Sequence, residues 1–153
     1  MSFLFTLEDD KLQEQLPELF IEYEQYVIES DKLFDIEGKK LEHLARDLPK
    51  HQAFYAQKMQ EMKQLMKWLE NNRNRLEARF TKNYSQGSRA LAAREATTLI
   101  NGEKDIVELN QLIIEAALIY GKLEEIVDGF KQMGWMIGAI VKLRVATIED
   151  AII

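Results

Sequence analysis

Two long stretches of this chain repeat apolar residues at steps that alternate between four and three. The first runs Tyr55, Met59, Met62, Met66, Leu69, Arg73, Leu76, Phe80, with one arginine in the seam. The second runs Ile106, Leu109, Ile113, Ala116, Tyr120, Leu123, Val127, Phe130, with no polar interruption. A mean step of about 3.5 residues keeps each set on one side of an α-helix and suits knobs-into-holes packing. A strand, with its two-residue period, cannot gather either set on one face. Seven glycines and two prolines are too few for a sandwich that turns about every ten residues. The fold class is all-α, with two long helices in an elongated multi-helix protomer.

The remaining punctuation predicts the other elements. An acidic first helix opens near Thr6 and Asp9 and carries Leu12, Leu16, Phe20, Tyr23 and Val27 at helical spacing. Pro17 is expected to break or restart it. Ser30 or Asp31 is the expected N-cap of a second helix, with Leu33, Ile36, Leu41, Leu44 and Leu48, ending near Pro49. The third helix spans about 50–83 and meets a turn at Tyr84-Ser85-Gln86-Gly87-Ser88. A short Ala-rich helix over about 89–99 ends at Asn101-Gly102. The last long helix starts near Glu103. Lys131-Gln132-Met133-Gly134 reads as its stop, with continuation through Gly134 as the alternative. A final apolar helix over about 135–145 precedes a tail.

Helix length bears on assembly. A helix of about 33 residues is roughly 50 Å long, whereas a compact domain of this size has a diameter near about 40 Å. Either the monomer is elongated or its seams are covered by other copies, since an exposed seam of Met, Leu and Tyr would aggregate. A homo-oligomer is expected.

Composition excludes most chemistry. Cysteine is absent, which removes disulfides, thiolate metal sites and cysteine nucleophiles and fits a reducing compartment. Neither His43 nor His51 has a Glu three residues before it, so the Glu-x-x-His pattern of a di-iron bundle is missing. Both histidines read as surface or packing residues. Glu14, Glu18 and Glu22 read as a solvated face, not a metal cage. Asn101-Gly102-Glu103-Lys104-Asp105 lacks the spacing of a phosphate loop. The opening MSFLFTLEDD is acidic where a secretory signal would be basic, and the longest apolar run, 133–141, is about half a membrane span. No enzyme activity, cofactor, metal or membrane partner is expected.

The net charge of −6 is unevenly spread. Residues 51–100 hold nine basic and four acidic side chains, while the flanking segments are acidic. With Arg75 at the origin of a helical wheel, Trp68, Asn71, Asn72, Arg79 and Lys82 fall within about 60° of it, and the apolar seam centres near about 140°. Glu61 shares the stripe's angle and marks its upstream limit. Guanidinium and ammonium groups for phosphates, amides for polar edges and an indole for stacking are the parts of a sequence-tolerant single-strand surface. Arg89 and Arg94, past the turn, extend it. The plainer alternatives are a stripe kept for solubility, a Trp68 buried against a neighbouring helix, a methionine row that is core, and an Arg73 paired with a carboxylate of another chain.

The order of these features resembles the UvsY recombination mediators of T-even-type phages. The residues that carry the resemblance are Ala78-Arg79-Phe80, Tyr84-Ser85-Gln86-Gly87, Gly102-Glu103-Lys104-Asp105-Ile106, Lys131-Gln132-Met133-Gly134, and Ile137, Ile140 and Lys142 in the last helix. Weaker agreement lies at Ser30-x-Lys32-Leu33 and Lys50-His51. The resemblance covers a UvsY-like helical domain over 31–146 with C-terminal oligomerisation helices; an acidic helical extension over 1–30, which departs from the family, precedes it, and a tail over 147–153 follows. It implies a non-enzymatic protein of DNA recombination and repair, in the cytoplasm of the infected bacterial host. Such a protein binds single-stranded DNA and helps load the phage recombinase onto DNA coated by single-strand-binding protein. It implies a ring-like homo-oligomer, a hexamer or heptamer. The family's Lys-Ala-Arg motif corresponds to Glu77-Ala78-Arg79, so the arginine carries over and the lysine does not. The expected nucleic-acid residues are Arg79, Arg75, Lys82, Trp68 and Arg89. The expected oligomerisation residues are Ile113, Tyr120, Leu123, Val127, Phe130 and Trp135. The rival reading is an oligomeric helical scaffold or adaptor that binds only proteins.

Overall fold

The computed structural model describes residues 9–86 and 92–150. These form four helices: α1 (Asp9–Phe34), α2 (Leu41–Gln86), α3 (Ala93–Asn101) and α4 (Lys104–Asp150). At about 1.5 Å per residue, the 46 residues of α2 and the 47 of α4 make helices about 70 Å long. They run antiparallel: Gly134 lies against Leu48, Phe130 against Tyr55, Arg73 bonds Asn110, and Tyr84 bonds Glu103. The two seams therefore cover each other within one chain. They are not open edges that require other copies, and the protomer is elongated.

The third layer is α1, parallel to α4 and antiparallel to α2. Lys122 pairs with both carboxylate oxygens of Glu24 at 2.8 and 3.0 Å, and Phe34 stacks on Phe130 with ring centroids 4.6 Å apart. The core is one continuous cluster that includes Leu16, Tyr23, Met62, Leu69, Leu123 and Phe130. With two partners, each long helix needs a wider apolar face than a two-stranded seam provides. Accordingly Leu65 joins α2's buried set, while Met59, Met66 and Leu76 are only partly buried.

Four expected boundaries are overridden. Pro17 and Pro49 lie inside α1 and α2. Each removes one hydrogen bond, yet both are exposed, so water can serve the carbonyl that is released. Leu44 and Leu48 on one side of Pro49 and Tyr55 on the other pack on the same core. That burial outweighs a proline cost of about 3 kcal/mol. Ser30 caps nothing. It is buried within α1 and donates from Oγ to the carbonyl of Val27 at 2.6 Å. The chain turns instead at 35–40, where Gly38 takes the left-handed conformation with φ of 71°. Gly134 does not stop α4. It allows close approach, since a Cβ there would sit 3.3 Å from Leu48 Cδ2.

The short helix runs from Ala93, and its expected start at Arg89 lies outside the described residues. It ends as expected at Gly102, whose N–H donates to the carbonyl of Leu99 at 3.2 Å. Ala96 and Ile100 are its buried residues. In the expected turn, Tyr84, Ser85 and Gln86 are still helical, whereas Gly87 and Ser88 lie outside the described residues.

Candidate nucleic-acid interface

Packing of α1 on α2 covers part of the basic stripe. Running antiparallel to α2, α1 places Tyr23 on Glu61 and Gln13 beside Asn72. Along that overlap the stripe's side of α2 faces a neighbour. Glu61 is buried, and Trp68 is half-buried and packs on the core. Further along α2, Arg75, Arg79 and Lys82 are exposed. Arg94 is exposed on α3, and Arg89 lies outside the described residues.

Arg75 and Arg79, about 6 Å apart along the axis, line a cleft of about 420 Å3 with Asn72 and Leu76. Gln13 of α1 and Asp105, Glu108 and Leu109 of α4 complete it. Guanidinium donors in an open cleft suit phosphate oxygens. Asp105 and Glu108 lower the local positive potential and offer acceptors to a cationic or amino group. These two carboxylates were absent from the site read from sequence. The signal for them was the antiparallel pairing of the two seams, which sets residues near 75 opposite residues near 108.

Arg73 finds its partners within the chain. Its Nη1 donates to Asn110 Oδ1 at 3.2 Å, and its Nε lies 3.7 Å from Glu77 Oε1. Glu77, at the position where the UvsY-like motif has lysine, is thus engaged by Arg73 on the seam side and does not stand among Arg75, Arg79 and Lys82.

The overlap of α1 and α2 is held by a polar cluster. Glu61 accepts hydrogen bonds from the Tyr23 hydroxyl, from Lys58 Nζ at 3.1 Å and from Gln57 Nε2 at 3.2 Å. Burial opposes ionisation of Glu61, but these donors outweigh it and hold the carboxyl below its ordinary value. Burial and the neighbouring Glu61 carboxylate push the Tyr23 phenol well up. A hydrogen bond to Glu22, with some burial, pushes Tyr26 up to about 12. Lys58 Nζ also stands 5.3 to 5.7 Å from the ring centroids of Tyr26, Phe54 and Tyr23, within cation–π range.

Of the expected oligomerisation residues, Leu123, Val127 and Phe130 are buried in the chain's own core. Ile113 and Tyr120 are half-buried against it. Their side chains are occupied because α1 and α2 cover that face of α4. Trp135 is 77% exposed.

Among the described residues, no group of three or more His, Asp or Glu side chains could hold a metal ion. No described helix is long and apolar enough to cross a membrane.

The architecture is thus an all-α, elongated antiparallel hairpin of long helices, buttressed by a third, with Arg75 and Arg79 lining a cleft near one end. No protein-family model and no curated protein matches the chain. Its fold is shared with bacteriophage T4 UvsY, a recombination mediator protein known from its crystal structure. The similarity has a TM-score of 0.71 at 20% sequence identity and covers 82% of this chain and 98% of that one.

Proposed function

We propose that this chain is a single-stranded-DNA-binding recombination mediator. It acts by binding and not by catalysis, and helps load a recombinase onto DNA coated by single-strand-binding protein. The observation that carries this reading is the exposed Arg75–Arg79–Lys82 stripe in the last turns of α2, on a chain with the fold of a recombination mediator. One chain offers few phosphate contacts. A ring-like homo-oligomer multiplies them, so avidity offsets modest affinity per chain. The exposed apolar side chains at the end of α4, Trp135, Met136 and Leu143 among them, support self-assembly.

The test is a fluorescence anisotropy titration with labelled oligo-dT across a range of salt. Affinity falls with a log–log slope of about −0.7 per phosphate contact. Arg75→Ala with Arg79→Ala weakens binding and flattens that slope without changing oligomer size. Salt-independent binding, or binding unchanged in the double variant, refutes the phosphate-contact site. The scaffold reading draws on one observation, the carboxylates of Asp105 and Glu108 in the same cleft. It expects no binding of oligo-dT at any salt.

A further inference from the structure

The outward face of α2 continues upstream of the stripe read from sequence. Between residues 60 and 82, eleven side chains of α2 are exposed. They recur every three or four residues and so form one face. Five are basic: Lys63, Lys67, Arg75, Arg79 and Lys82. The others are four amides, an alanine and a threonine, so the face has no carboxylate and no aromatic ring. Among the described residues none of these five cations is in an ion pair, whereas Lys58, Arg73 and Lys122 each have a carboxylate partner.

Glu61 does not close this face, although its angle on the helical wheel set it there. It is buried against α1, where Tyr23, Lys58 and Gln57 donate to its carboxylate. Glu77 is half-buried and lies on Arg73, and Glu70 is half-buried. Lys63 with Lys67, and Arg75 with Arg79, are like charges four residues apart. That spacing destabilises a helix in water, and a polyanion lying along the face reverses the penalty.

We propose that a single strand lies along this whole face, from Lys82 to Lys63, gripped by its phosphates with its bases turned away from the helix. The inference rests on the single-strand binding proposed above and states the extent of the track and the part of the strand it holds. Residues 63 to 82 span about 28 Å of helix, against about 10 Å for Arg75 to Lys82 alone. Stacking of bases requires exposed aromatic rings. This face has none, and Trp68 is half-buried and packs on the core. Cations and amides bond phosphate oxygens whatever the base. Bases held clear of the protein stay open to pairing.

Anisotropy titrations across a range of salt, with labelled oligo-dT and with an abasic strand of the same length, test this. The proteins are the parent chain, Arg75→Ala with Arg79→Ala, Lys63→Gln with Lys67→Gln, and a control, Lys32→Gln with Lys40→Gln, which removes the same charge at the turn between α1 and α2. All these positions are exposed, and far-UV circular dichroism and sedimentation verify unchanged fold and oligomer size. The Lys63 and Lys67 variant binds oligo-dT more weakly, with a log–log salt slope shallower by about 1.4 per chain, the loss of two phosphate contacts. The control keeps the parent's slope, and the parent binds the abasic strand as tightly as oligo-dT. An unchanged slope in the Lys63 and Lys67 variant, beside weakened binding in the Arg75 and Arg79 variant, overturns the long track and leaves the single-strand reading standing. An equal loss in the control assigns the effect to overall charge and likewise overturns the track. An abasic strand bound about fivefold more weakly, the effect of even one stacked base, overturns the grip by phosphates alone. A parent that binds neither strand overturns the single-strand reading itself.

Discussion

Replacing Glu61 tests whether α1 is tied to α2 as the structure indicates. The carboxylate is buried and accepts three side-chain hydrogen bonds, one of them from Lys58. Glu61→Ala leaves the Tyr23 hydroxyl and the half-buried Lys58 without this acceptor. Removing one partner of a buried charged bond costs about 1–3 kcal/mol. The cation–π contacts of Lys58 survive the change, so the total is set at about 2–3 kcal/mol. Glu61→Gln keeps shape and one acceptor oxygen and loses the charge, at about 1–2 kcal/mol. The assay is urea unfolding followed by far-UV circular dichroism, with a double-mutant cycle against Tyr23→Phe. A coupling of about 1.5–3 kcal/mol is expected from one hydrogen bond to a charged acceptor. The pH dependence follows from the direction of the shift. The folded carboxyl titrates below its ordinary value of 4.5. Its contribution is therefore fully present above that value and is lost as pH falls through the depressed one. The parent loses stability on acidification more steeply than Glu61→Gln. Glu61→Gln within about 0.5 kcal/mol of the parent, with no difference in acid, would refute the assignment of this cluster as the tie.

Two further substitutions probe one overridden boundary and the seat of Phe34. Pro49→Ala restores a backbone hydrogen bond inside α2 and should raise stability by about 1–2 kcal/mol, less than the full helix penalty because the unfolded chain also gains freedom. A loss of stability by thermal unfolding would mean that α2 does not pass through residue 49. Gly129→Ala sets helix propensity against packing. An added Cβ would lie 2.8 Å from Phe34 Cζ, in a ring stacked on Phe130. Overpacking should outweigh the propensity gain of about 1 kcal/mol and leave a net loss of about 1–2 kcal/mol. A stabilised variant would show that Phe34 is not seated there.

The seams at 55–80 and 106–130 made the helical class legible from residue order alone, because a 3.5-residue apolar period has one structural solution. The Asn101-Gly102 break was legible for a similar reason, since local turn chemistry faced no competing burial there. Proline, serine and glycine misled wherever long-range packing outweighed local preference. The strength of the Leu44, Leu48 and Tyr55 contacts around Pro49 depends on α4, about eighty residues away in sequence. The cationic stripe could be placed on one face from spacing alone. How much of it is covered depended on where α1 packs against α2, which no helical wheel contains. Residue order thus determined which side chains share a face. Tertiary structure decided which faces are covered, because coverage depends on the register between helices, and register is set by the summed burial of all their contacts.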